Sequence, residues 1–186
     1  MAKTVVILGA SFAGLKIAHH LLKNTLPVVK GLKVIVVSPT THVFFNIAAP
    51  RAIIPGQIPD EKLVAPYEPG FSKYPSTSYE IVLGVATNVD PANKKVDINT
   101  ELGLRTVAYD VLVVTTGSNT GSMPWKASGS HKEFLDILHS TQEKVKKAKS
   151  IVVGGSGVTG VETAGELGFE YGKTKDITLV SYVIHG

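Results

Sequence analysis

Residues 5–21 read VVILGASFAGLKIAHHL, and their order decides the fold. Thr4 to Leu8 is a continuous β-branched and aliphatic run, the composition of a strand buried on both faces. Gly9-x-Ser11-x-x-Gly14 follows as a turn. Phe12 to Asn24 then carries apolar residues at helical spacing, at Leu15, Ala18, Leu21 and Leu22. A short loop, LPVVKG, leads to KVIVV at Lys33 to Val37, a second buried strand. Strand, helix and strand joined this closely predict a right-handed parallel unit. Small residues at the turn let backbone approach a diphosphate, and the helix start adds N–H donors and partial positive charge. A tight strand–helix turn without a ligand uses the same residues, and Ser11 stands where the usual pattern has its middle glycine.

The order recurs near the other end. IVVGGSGVTGVETAGEL, from Ile151, sets Gly155-x-Gly157-x-x-Gly160 between a strand and a helix, and ITLV at Ile177 supplies the second strand. Each copy needs the same context independently, so two copies argue for two nucleotide units. Such units usually carry an acidic residue at the end of the second strand, where it binds a ribose hydroxyl. Here Ser38 and Ser181 occupy that place. Ser38 can hydrogen-bond a ribose hydroxyl, less strongly than a carboxylate, and nothing in the second unit favours NAD over NADP.

Between the two units the periodicity first breaks down, over a proline-rich stretch from Ser38 to Tyr79 with one short helix expected around Asn46 to Ala52. Regular structure resumes with YEIVLGVATNVD, KKVDI and LRTVAYDVLVVTTG. Their middle reads as a small antiparallel meander, and VLVVTT as another core strand. GSNTGSMPWKASGS, residues 117–130, is a linker candidate. KEFLDILHSTQEKVKKAK is an amphipathic helix with Phe134, Leu135, Ile137, Leu138, Thr141 and Val145 on one side.

Composition narrows the chemistry. Of 186 residues 44% are hydrophobic and 18% charged, as in a folded chain. No apolar run approaches the roughly 20 residues of a membrane span. MAKTVVILGA reads as strand and turn instead of a leader, and Ala2 excludes N-myristoylation. With no leader or anchor recognised, a cytoplasmic location is expected. The net charge of +4 comes from scattered lysines whose one cluster, from Lys144, ends a helix, so no nucleic-acid partner is expected. Zero cysteines exclude disulfides, thiolate metal sites and a thiol nucleophile within these residues. The six histidines are adjacent or isolated, and no metal site is expected. Tyr171-x-x-x-Lys175 has the spacing of a short-chain dehydrogenase pair but sits beside Gly172 at a helix end, without that family's glycine pattern.

The order GASFAG, NIAAPRAIIPGQ, YDVLVVTTGS and IVVGGSGVTGVETAGEL resembles FAD-dependent pyridine-nucleotide oxidoreductases. The likeness is greatest to fungal apoptosis-inducing-factor-like proteins, relatives of the ferroptosis-suppressing quinone reductases, and runs from Lys3 to about Val180. It implies an α/β fold with a Rossmann-like FAD-binding domain at 1–120 containing the meander. A linker and amphipathic helix would follow at 121–150, and the incomplete start of a Rossmann-like NAD(P)-binding domain at 151–186. Gly9, Ser11, Phe12, Ala13 and Gly14 would wrap the FAD diphosphate. Arg51 would reach the flavin side, Ala86 would contact adenine through its backbone, and Thr116 with Gly117 would turn beside FAD. Gly155, Gly157, Gly160 and Glu162 would sit against NAD(P)H. Plainer roles exist: a surface ion pair for Arg51, a strand residue for Ala86, a strand end for Thr116 and Gly117, and dipole complementation for Glu162.

The resemblance implies hydride transfer from NAD(P)H to FAD, and from there to a quinone or another diffusible acceptor without a redox disulfide. No residue stands out as a catalytic acid or base. Family members continue well beyond this point, and YVIHG does not resemble their continuation. A truncated product with weak cofactor affinity and exposed apolar surface after Ile151 is therefore expected. The alternative is a non-catalytic nucleotide-binding or interaction module that self-associates through an open sheet edge.

Overall fold

The computed structural model describes residues 3–118, 120, 124–126 and 129–181. The chain divides into two compact units, one of residues 1–43, 65–118 and 129–131, the other of residues 44–64, 119–128 and 132–186.

In the first unit, β1 (Lys3–Leu8), α1 (Phe12–His20) and β2 (Leu32–Ser38) follow the expected order. The helical run continues past α1 as a π-helical turn, Leu21–Thr25. β1 and β2 pair in parallel, Val5 with Val34 and Leu8 with Val37. Two short strands, β3 (His42–Phe44) and β4 (Val64–Pro66), form a separate ribbon, and the residues between them, which belong to the second unit, hold α2 (Ala49–Ala52) and α3 (Asp60–Leu63). β5 (Tyr79–Leu83) adds to the far side of β2, and the meander follows as β6 (Val85–Asp90), β7 (Lys95–Thr100) and β8 (Gly103–Ala108). β9 (Val111–Val114) returns beside β1, giving the order β5-β2-β1-β9.

Alternation along the strands divides the core. Val5, Ile7, Val34 and Val36 pack on α1 together with Tyr67 and Phe71. Val6, Leu8, Ile35 and Val37 pack on Val96, Ile98 and Val107 of the meander. The sheet is therefore covered on both faces, which is why its strands read as unbroken apolar runs. The core position expected of VLVVTT needs correction. β9 is an edge strand among the described residues, with Val111 and Val114 exposed at 52% and 63%.

The second unit holds α4 (His131–Lys147), which starts one residue outside it, then β10 (Ser150–Gly154), α5 (Val158–Tyr171) and β11 (Asp176–Val180). β10 and β11 pair in parallel. Phe134, Leu138 and Val145 of α4 are buried with Ala49, Ile53, Leu63 and Leu167, and the Phe134 ring lies 4.1 Å from that of Phe44. The short helix expected at 46–52 is present as a 3-10 turn, Asn46–Ala48, running into α2. Apolar side chains after Ile151 are exposed as expected, among them Val152, Val158 and Phe169. The linker candidate falls partly, and YVIHG wholly from Tyr182, outside the described residues. Among the described residues no helix is long and apolar enough to cross a membrane.

Candidate functional site

Each unit presents a strand–turn–helix elbow, and the two are built alike. In the first, Gly9 adopts φ +106°, a conformation that favours glycine, and its amide donates to the Val37 carbonyl at 2.8 Å. In the second, Gly155 adopts φ +103° and donates to Val180 at 2.8 Å. A Cβ on Gly14 would overlap the carbonyl oxygen of Gly9, and one on Gly160 would overlap that of Gly155. The third small position of each motif thus brings helix and strand together at a distance only hydrogen permits.

The helix starts carry no side-chain cap. Ser11 precedes α1 in extended conformation, Gly157 precedes α5, and neither first turn holds an acidic residue. First-turn N–H groups have no acceptor within their own helix, so both starts suit an anion. Ser11, Phe12 and Ala13 are exposed at the first start. At the second, a Cβ on Gly155 or Gly157 would meet nothing within 4 Å, so the residues leave the clearance that a diphosphate needs.

Thr115 is the residue supporting the first elbow that sequence reasoning missed. Its amide donates to the Leu8 carbonyl at 2.8 Å, while its hydroxyl donates to Leu8 at 2.8 Å and to Gly9 at 3.1 Å. The side chain pins the strand end and the first turn residue from β9. Thr116 and Gly117, the residues singled out instead, are exposed, Gly117 with φ +68°. A threonine immediately after a core-sheet strand was the available signal.

Ser38 ends β2 but is buried, its Oγ accepting from the Thr40 amide at 3.3 Å. Burial pushes the neighbouring Tyr67 phenol up, against a hydrogen bond with Ser38. Ala86 is half-buried in β6 opposite Ile98, next to a register shift.

The remaining expected residues lie in the second unit. Arg51 on α2 makes a bidentate pair with Glu166 on α5: Nε donates at 3.0 and 3.1 Å, and Nη2 at 2.8 Å. Hydrogen bonds and charge from Glu166 raise the Arg51 guanidinium above its ordinary value. Gln57 donates to Glu170 at 3.0 Å, and Gln142 of α4 donates to the Ala52 carbonyl at 2.7 Å. Glu162 is exposed on α5 and borders a cleft of ≈ 770 Å³ whose walls include Pro50, Ile53, Trp125, Val153 and Gly160. Tyr171 and Lys175 serve the fold: Lys175 Nζ donates to the carbonyls of Lys146 and Ala148 at 2.8 and 2.6 Å and lies over the Tyr171 ring. It caps the end of α4.

Comparison with known proteins agrees with this geometry. The family model described as pyridine nucleotide-disulphide oxidoreductase matches residues 3–183. The chain is 48% identical over 185 residues to oxidoreductase ptaL of Pestalotiopsis fici, covering 96% of this chain and 49% of that protein. It is 29% identical to apoptosis-inducing factor homolog A of Dictyostelium discoideum, covering 98% and 41%. It therefore spans about half the length of the curated relatives it matches. Among solved structures, the sulfide:quinone oxidoreductase of Aquifex aeolicus shares the fold at a TM-score of 0.72, with 23% identity over 97% of this chain and 43% of that one.

Proposed function

The chain belongs to the pyridine nucleotide-disulphide oxidoreductase family, and from that premise we infer that its first elbow holds FAD and its second holds NAD(P)H. The observation that carries this reading is the repeated elbow: the same positive-φ glycine, the same 2.8 Å bond to the second strand and the same obligatory glycine five residues on. Two such turns suit two diphosphates.

In the first unit, Gly9 to Gly14 bring backbone amides to the FAD diphosphate while Thr115 fixes the turn. Ala86, Thr116 and Gly117 border the cofactor, and Ser38 supports the ribose end. In the second, Gly155, Gly157 and Gly160 admit the NAD(P)H diphosphate to the start of α5, with Glu162 beside it. Arg51, tied to Glu166, orients α2 against α5, and its assignment to the flavin side is part of this proposal. The flavin, when bound, accepts a hydride from the nicotinamide and passes electrons to a quinone or another diffusible acceptor. No cysteine occurs in these 186 residues, so none of them relays electrons as a dithiol. The domain assignment at 1–120, 121–150 and 151–186 belongs to this proposal.

An anaerobic absorption titration tests it. FAD added to the chain gives a protein-bound visible flavin band, and NADH or NADPH then bleaches it. A chain that gives no protein-bound flavin spectrum at saturating FAD overturns the first assignment. A flavin that stays oxidised with both nucleotides overturns the second. The exposed Val152, Val158 and Phe169 favour a second reading, a non-catalytic interaction module, for which a colourless or unreduced chain is the expected result.

A further inference from the structure

We propose that the second unit binds NADPH and NADH with nearly equal affinity, because the position that reads the adenosine ribose is the exposed hydroxyl of Ser181. The inference rests on the assignment of NAD(P)H to that unit. The place of Ser181 follows from the register of the two elbows. Gly9 donates to Val37 and Ser38 comes next; Gly155 donates to Val180 and Ser181 comes next. The two serines are counterparts, but their surroundings differ. Ser38 is 2% exposed and its hydroxyl is taken up by the Thr40 amide. Ser181 is exposed, and its Oγ lies 2.6 Å from the Oγ of Ser156, the residue between the first two glycines of the elbow.

A carboxylate at this position selects between the two nucleotides by charge. It accepts a hydrogen bond from the 2′-hydroxyl of NADH and repels the 2′-phosphate of NADPH. Two adjacent hydroxyls carry no charge and so repel neither nucleotide. Each both donates and accepts, so Ser156 and Ser181 can turn to a ribose hydroxyl or to phosphate oxygens. An arginine that would tip the balance toward NADPH is also accounted for. The chain has two, Arg51 and Arg105, and they pair with Glu166 and Glu80. Within these 186 residues what remains is a difference of about one hydrogen bond, about tenfold in affinity.

Calorimetric titration of the full chain with NADH and with NADPH, at one fixed ionic strength, reads the ratio of dissociation constants directly and needs no turnover. The ratio is expected to lie within about tenfold. Ser181→Asp should move it at least tenfold toward NADH, and Ser181→Arg should move it toward NADPH. A wild-type ratio beyond tenfold overturns the inference even where the variants fail to fold. So does a folded Ser181→Asp protein whose ratio is that of the wild type. A chain that binds neither nucleotide overturns the nucleotide assignment itself and this inference with it. That outcome is distinguishable from binding that is tight but selective.

Discussion

Single glycines separate what the elbows need to fold from what they need to bind. The missing side chain of Gly160 is occupied by the backbone of Gly155, whereas that of Gly157 faces open space. Gly160→Ala should therefore cost about 1–3 kcal/mol of stability through overpacking, since a carbonyl cannot swing aside as a side chain can. Gly157→Ala should melt closer to the wild type and yet bind NAD(P)H more weakly. Thermal melts with nucleotide titrations on both variants check this ordering, and undiminished affinity in Gly157→Ala would mean that the diphosphate lies elsewhere. Thr115 allows a parallel test in the first elbow. Thr115→Val keeps the shape but removes the hydroxyl that donates to Leu8 and Gly9. A loss of about 0.5–1.5 kcal/mol is expected in urea unfolding, with weaker FAD retention, and Thr115→Ser should recover both. The glycines were legible in the sequence because their constraint is local, set by a turn of known geometry. Thr115 was not, because its partners lie 106 and 107 residues away.

Among the elements, the parallel sheet and the meander are joined by one carboxylate. Glu80 on β5 receives Lys33 Nζ of β2 at 2.7 Å and Arg105 Nη2 of β8 at 2.6 Å. Burial pushes its carboxyl up, but the hydrogen bonds and charges of Lys33 and Arg105 together prevail and hold it below the ordinary value of 4.5. A carboxyl depressed in the folded state contributes stability above its unfolded value, and that contribution is lost as pH falls through the folded one. The stability gap between wild type and Glu80→Gln should thus be full at neutral pH and close progressively below about pH 4.5, as urea midpoints across pH would show. A gap that persists at pH 2 would mean that packing, not charge, makes the difference. Element identity was read well wherever burial on two faces left an unbroken apolar run, as in β1 and β2, or a helical stripe, as in α4. It was read poorly at edges and joints. β9 looks like a core strand by composition, yet at the sheet edge only Leu112 and Val113 are half-buried, one on each face, while Val111 and Val114 are exposed. Gly84, between β5 and β6, is required because a Cβ there would lie 2.5 Å from the Asn99 carbonyl oxygen, a neighbour that no local pattern discloses. The Arg51–Glu166 pair joins α2 to α5 across 115 residues and was visible only as one open alternative.

Across the whole molecule the burial is unequal, and stability should follow it. In the first unit Val6, Ile7, Val34 and Val36 are fully buried between α1 and the meander. In the second, neither β10 nor β11 contains a buried residue, and Phe169 on α5 is 91% exposed. The backbone bonds of that ribbon are shielded by few apolar contacts, so they should open at a lower free energy than those of the four-stranded sheet. Hydrogen exchange should show amides of 34–37 exchanging slowest and those of 151–154 and 177–180 orders of magnitude sooner. The chain's single tryptophan, Trp125, belongs to the second unit and reports on it alone. Its fluorescence should change at lower urea than far-ultraviolet circular dichroism, which averages over both units. NADPH should raise the fluorescence midpoint toward the other, since a ligand stabilises the state that binds it. FAD should leave the fluorescence midpoint where it is and raise the later transition. Coincident transitions that shift together with either ligand would show that the two units unfold as one, and that the exposed ribbon draws its stability from the whole chain.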